Sequence, residues 1–133
     1  MSLLTKATPV LVVDSIEPVL PFWRKVGLTP TTEVPDGAGR LAFVILAAAG
    51  VEIMYQTSAS VKDDLVKSAS VKDAFRASPQ QTTLFLEVAA LSEVESRLQG
   101  ELVIMPTRKT FYGSTEIGYA DPAGNIVVFA EHN

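Results

Sequence analysis

The sequence predicts an α+β fold built from two tandem βαβββ modules that share a core. Three observations predict it. An apolar stripe occurs twice: Ile16, Val19 and Trp23, then Leu91, Val94 and Leu98, with the same internal spacing. Each stripe follows an apolar run, Val10–Val13 and then Leu84–Val88, and precedes further strand-like segments. Finally, 133 residues suit one compact domain, whereas half that length would bury too little surface to be secure alone. A chain that states one supersecondary unit twice is expected to pack the two copies together, and the cleft between them is a natural place for a ligand.

Residues 8–13 read as a buried strand rich in Val and Leu. Asp14 or Ser15 is placed to cap the helix that follows. That helix reaches about Val26 and stops at Gly27. Pro18 suits a first turn, and Pro21, lying deeper, predicts a kink or a later start. Residues 29–34, 41–46 and 51–56 read as strands, with turn chemistry at 35–39 and a bend at Gly50. Residues 58–80 form a connector in which SASVKD occurs twice, at 58–63 and 68–73. Val61, Leu65 and Ala69 predict a helix face, and Ser78-Pro79-Gln80-Gln81 ends it.

The second module repeats the order. Residues 83–88 are a strand, Ser92 and Glu95 form an S-x-x-E capping box, and Gly100 closes the helix. Residues 102–105, 116–119 and 126–130 are strands, the last two joined by the turn Asp121-Pro122-Ala123-Gly124-Asn125. The boundaries expected are therefore one domain over 1–133, with module one at 7–57, the connector at 58–80 and module two at 81–131.

Composition excludes several function classes. Apolar residues make up 47% and charged residues 20%, which argues against disorder. No apolar run approaches the roughly 18 residues of a membrane helix. Asp14 and Glu17 follow the short apolar start, which argues against a secretory leader. The absence of cysteine removes disulfides and thiolate chemistry and suits a cytoplasmic protein. With 15 acidic and 11 scattered basic residues, net charge −4, no basic track for nucleic acid is present. No nucleophile motif, zinc-protease motif or phosphate loop occurs.

The doubled βαβββ order ends in Asp121-Pro122-Ala123-Gly124-Asn125-Ile126-Val127-Val128-Phe129, and the first strand and helix read from Val12 to Phe22-Trp23. Together these resemble the vicinal oxygen chelate superfamily, which includes glyoxalase I, bleomycin-resistance proteins, fosfomycin-resistance proteins and extradiol dioxygenases. The resemblance covers almost the whole chain. It implies sheets curled around a cavity where, in the enzymes, four side chains hold a divalent metal. They come from the first and last strand of each module and are usually His or Gln and Glu. The matching positions are Thr8, Glu52, Thr83 and Val128. Only Glu52 is a strong ligand, so no metal and no cofactor are expected. The sole histidine, His132, reads as a solvated tail residue; the other reading pairs it and Glu131 with Glu52.

Alternate side chains share a strand face. Thr8, Val10 and Val12 should therefore line the cavity, with Glu52, Met54 and Gln56, Thr83, Phe85 and Glu87, and Ile126, Val128 and Ala130. Leu11, Val13, Ile53, Leu84, Leu86 and Val88 should face the helices. Glu87 reads equally as a solvent-facing edge residue. If Glu52 is buried it needs a partner. Residues 108–116 place cations, a phenol and a carboxylate between two strands, and Trp23 reads as a core residue. The candidate ligand-binding residues are Glu52, Met54, Gln56, Thr83, Phe85, Lys109, Tyr112 and Glu116; no catalytic residue is assigned. The favoured function is metal-independent binding of a small, partly apolar or cationic molecule, much as bleomycin-resistance proteins sequester their drug. The alternative is a divalent-metal lyase or dioxygenase of the glyoxalase or extradiol type with a remodelled site. A dimeric scaffold that has lost its ligand is a third reading. The resemblance also implies a homodimer; the scattered charge and the short apolar runs give no expectation of a nucleic-acid or membrane partner.

Overall fold

The computed structural model describes residues 3–64 and 81–133. They form two four-stranded sheets, each belonging to its own compact unit. The first sheet has the order β1-β4-β3-β2, from β1 (Val10–Val13), β2 (Thr29–Pro35), β3 (Leu41–Ala48) and β4 (Val51–Thr57). The second repeats it as β5-β8-β7-β6, from β5 (Thr83–Glu87), β6 (Val103–Lys109), β7 (Ser114–Ala120) and β8 (Ile126–His132). In each sheet the first and last strands of the unit run parallel at one side, and the other neighbours are antiparallel. This is the predicted doubled βαβββ order.

The first unit contains β1–β4 and α2 (Ser58–Asp64). One face of its sheet is sealed: Leu11, Val13, Val44, Leu46, Ile53 and Tyr55 are all buried. The alternation of the strands puts Val12, Ile45, Glu52, Met54 and Gln56 on the other face, where each remains partly accessible. Helix α2 begins the connector as expected, with the Thr57 hydroxyl accepting from the Ser60 N–H at 3.2 Å. The rest of the connector, including Leu65, Ala69 and the second SASVKD copy, lies outside the described residues.

The second unit contains β5–β8 together with α1 (Leu20–Lys25) and α3 (Leu91–Arg97). The first helix thus groups with the second sheet. It starts later than Asp14 or Ser15 would place it. A 3₁₀ turn at Glu17–Val19 comes first, no side chain caps the helix, and Pro21 sits in its opening turn, where its missing N–H costs nothing. Gly27, at φ +93°, ends it, and its N–H bonds to the Arg24 carbonyl at 3.1 Å. Trp23 is fully buried, as expected of a core residue. Phe22 meets Trp23 edge-on at 5.2 Å, and Tyr119 lies between Phe22 and Phe129 at 6.5 and 5.9 Å.

The capping box does not form. Helix α3 begins at Leu91, so Ser92 already lies inside it, and no side chain caps it from Ala90. Instead the Glu131 carboxylate, reaching from β8, accepts from the Leu91 N–H at 2.7 Å. A carboxylate there satisfies a free donor and suits the positive end of the helix. Strands β6 and β7 are longer than predicted. The segment 108–116 is therefore two strand ends joined by a four-residue turn, with Gly113 at φ +87°. Pro106 is tolerated inside β6 because β6 is an edge strand and bulges on either side of Met105.

Candidate functional site

The accessible face of the second sheet carries the densest polar network among the described residues. Glu116 lies on β7 opposite Ala130 and is 1% exposed. Its carboxylate accepts from the Tyr112 hydroxyl and, at 2.9 Å, from the Ser114 hydroxyl. Arg108, its cross-strand partner on β6, adds an ion pair at 3.6 Å. Ser114 in turn meets the Thr110 hydroxyl at 3.0 Å, which ties the β6–β7 turn to the strand. No fully buried side-chain oxygen or nitrogen among the described residues is left without a partner. The Tyr112 hydroxyl, then Ser114 and Arg108, hold the Glu116 carboxyl below its ordinary value, against the opposing effect of burial.

Around this network the face is apolar. Phe85, half exposed, pairs with Val128, and Val128 pairs with Gly118. Gly118 has no room for a side chain, because a Cβ there would lie 2.9 Å from the Met105 Cβ. The Met105 side chain occupies the space over Gly118 beside Val128. Thr83 is exposed at the near end of β5. At the far end His132 contacts Glu87, both side chains more than half exposed. His132 is therefore a solvated residue with a partner on β5. It joins neither Glu131, which caps α3, nor Glu52, whose partners are Lys6 and Thr8.

The predicted set divides accordingly. Thr83, Phe85, Tyr112 and Glu116 share the accessible face of the second unit. Lys109 does not join them. It pairs with Thr115, one residue out of phase with Glu116, and points to the other face. Arg108, outside the predicted set, is the cation that meets Glu116: the two bulges around Met105 slide β6 by two residues along β7 and bring it opposite.

Glu52, Met54 and Gln56 share the accessible face of the first sheet, but two of them are already engaged. The Glu52 carboxylate takes the Lys6 ammonium at 2.8 Å and the Thr8 hydroxyl at 3.2 Å, and these hold its carboxyl below the ordinary value. The side-chain amide of Gln56 donates to Ser60 at 3.0 Å and to Asp64 at 2.7 Å on α2. Met54 lies between Val10 and Ile45.

The donor set does not fit a divalent metal. Among the described residues no three His, Asp or Glu side chains converge. Register also corrects the match of positions. Val10 pairs with Met54, and Phe85 pairs with Val128. With Thr8 matched to Thr83, the counterpart of Val128 is Met54, and the counterpart of Glu52 is Ile126. A thioether and an isopropyl group therefore occupy the two last-strand positions, and neither suits a hard or borderline cation. The turns before the two strands differ in length: Ala48 pairs with Val51 across a two-residue turn, whereas Ala120 pairs with Ile126 across five.

Comparison with solved structures shows the same fold. A lactoylglutathione lyase from Agrobacterium tumefaciens matches with a TM-score of 0.69 at 18% identity, over 96% of this chain and 92% of that one. A glyoxalase/bleomycin resistance protein/dioxygenase from Nocardioides matches with a TM-score of 0.67 at 16% identity, over 99% and 85%. A bleomycin resistance determinant encoded on the transposon Tn5 matches with a TM-score of 0.65 at 13% identity, over 98% and 99%. The chain has the vicinal oxygen chelate fold. No protein-family model matches the sequence, nor does any curated protein sequence. No helix among the described residues is long and apolar enough to cross a membrane.

Proposed function

We propose that the protein is a metal-independent small-molecule binder that holds a partly apolar ligand on the accessible face of its second sheet. The observation that carries this reading is the Glu116 network. A charged carboxylate is held 1% exposed by Tyr112, Ser114 and Arg108, on the face that carries the half-exposed ring of Phe85. An apolar surface with a few fixed polar groups is the usual composition of a small-molecule site. Tyr112 is half exposed, so its ring can contact a ligand while its hydroxyl stays committed to Glu116. Arg108 is likewise more than half exposed and offers donors to an acceptor on the ligand. The misfit of Thr8, Met54, Thr83 and Val128 to a cation supports the metal-independent part.

Two measurements test it. Metal analysis of the purified protein, with thermal midpoints with and without chelator, should give substoichiometric metal and no chelator-induced fall. Stoichiometric metal with a fall on chelation would overturn the metal-independent reading. A panel of small aromatic and cationic compounds is then screened by thermal shift, and hits are repeated on Phe85→Ala. Hits whose affinity is unchanged by that substitution would place the ligand elsewhere.

A further inference from the structure

The opposite face of the second sheet carries a separate cavity. A groove of about 450 Å³ runs between α3 and the edge of the sheet at β6 and β7. That volume lies within the range of about 300–1,000 Å³ common to small-molecule sites. One wall is polar: Ser92, Glu95 and Ser96 recur at i, i+3 and i+4 on α3, which puts them on one side, and Gln99 follows just past its end. The floor is apolar, from Leu98, Val103 and Ile117, with Tyr119 among them.

Two groups in this groove lack partners. Tyr119 is 98% buried by its 2% exposure, with its ring fixed between Phe22 and Phe129. Its hydroxyl makes no hydrogen bond among the described residues. Because no fully buried side-chain oxygen there is unpartnered, the hydroxyl must keep contact with solvent in the groove. Glu95 is exposed and has neither an ion pair nor a hydrogen bond among the described residues. The other groove carboxylate, Glu101, is already neutralised by Lys25 at 2.6 Å. Glu95 lies near enough to Tyr119 to help burial raise the phenol above its ordinary value, so the hydroxyl stays protonated.

We propose that this groove binds a primary alkylammonium ion, its ammonium shared by the Glu95 carboxylate and the Tyr119 hydroxyl oxygen, its alkyl chain on Leu98, Val103 and Ile117. An ammonium has three donors and no acceptor, and the two oxygens are its complement. A carboxylate ligand would meet Glu95 as a like charge. The site does not depend on the Glu116 face: Tyr119 and Glu116 are three residues apart on β7 and point to opposite faces of the sheet.

The test is an amide-detected NMR titration with n-hexylammonium, with n-hexanoate and n-hexanol as matched probes. Hexylammonium should give saturable shifts at Gly100, Val103 and Tyr119, with hexanol weaker and hexanoate without effect. Tyr119→Phe keeps the ring and removes one hydroxyl; Glu95→Gln alters an exposed helix position. Each should weaken hexylammonium by about tenfold, as expected for losing a charge-assisted contact. Equal binding of hexanol, binding of hexanoate, shifts confined to other regions, or an unchanged Kd in both variants would overturn the proposal.

Discussion

The two sheets place different side chains at one and the same position of their hydrogen-bonded lattice, and the difference decides how each carboxylate behaves. With β1 matched to β5 and Val10 to Phe85, Gln56 corresponds to Ala130, and Phe43 beside it corresponds to Glu116. The first sheet therefore has a ring where the second has a buried acid. Its own acid, Glu52, sits four residues before Gln56 on β4, 27% exposed, and takes its partner from the exposed Lys6. Glu116 takes its partners from its own hairpin, Arg108, Tyr112 and Ser114, and is buried. A charge fixed by local, short-range partners can be kept out of water; one met by a mobile lysine stays at the surface.

The comparison breaks most visibly if Glu116 is removed. Glu116→Ala leaves the Tyr112 and Ser114 hydroxyls and Arg108 without their shared acceptor and opens a cavity. A loss of about 2–4 kcal/mol in unfolding free energy is expected, read from the denaturant midpoint at constant m. A loss under about 1 kcal/mol would mean that the network is not a structural unit.

Next in size is the floor of the same face. In the first sheet the position equivalent to Gly118 is Ile45, which fills the surface with its own side chain; in the second, Met105 of the neighbouring strand fills it. Gly118→Ala drives a Cβ to 2.9 Å from the Met105 Cβ, which a side-chain rotation of Met105 cannot relieve. Backbone movement of β6 should cost about 1–3 kcal/mol. An Ala variant as stable as the parent would show that the bulged edge yields freely.

A smaller effect with a sign that depends on pH is expected for Tyr112→Phe. The Glu116 carboxyl is held below its ordinary value in the folded protein, chiefly by the Tyr112 hydroxyl. Its contribution is therefore present above the unfolded carboxylate pKa of about 4.3 and is lost as pH falls through the folded value. The phenylalanine variant lacks that hydrogen bond at every pH. It should be less stable by about 1 kcal/mol near neutrality, and the two stability curves should converge on acidification. A gap that stays constant from neutrality to acid would remove the Tyr112–Glu116 bond as its source.

Much of this was legible in the sequence because it is local. Apolar runs alternate at the strand period, Gly27 stops a helix, and Asp121-Pro122-Ala123-Gly124-Asn125 closes on itself. The Asp121 carboxylate accepts from the Ala123 and Asn125 N–H groups at 3.0 and 2.8 Å, and the Asn125 side chain accepts from the Thr82 N–H at 2.8 Å. What was not legible depends on phase or on distant partners. Two bulges around Met105 slide β6 by two residues along β7, which brings Arg108 opposite Glu116. The pairing of β1 with β4 and of β5 with β8 makes Met54, not Glu52, the counterpart of Val128. The cap of α3 comes from Glu131, 40 residues along the chain, so no S-x-x-E spacing could reveal it. The grouping of α1 with the second sheet is likewise a tertiary fact.

The smallest effect expected is at Glu52, and it separates the two sheets most sharply. Its partners are an ammonium that is 60% exposed and a threonine hydroxyl, in contact with solvent that screens both. Lys6→Ala and Glu52→Gln should each leave the denaturation midpoint within experimental error at physiological salt. Any difference seen at low ionic strength should disappear as salt is added. Both variants should also leave the acid limb of the stability curve unchanged, since the lowered carboxyl of Glu52 rests on a lysine that water can replace. A salt-resistant loss at Glu52 comparable with that at Glu116 would mean that the first sheet holds its acid as firmly as the second, and that the accessible face of the first sheet is equally organised for a ligand.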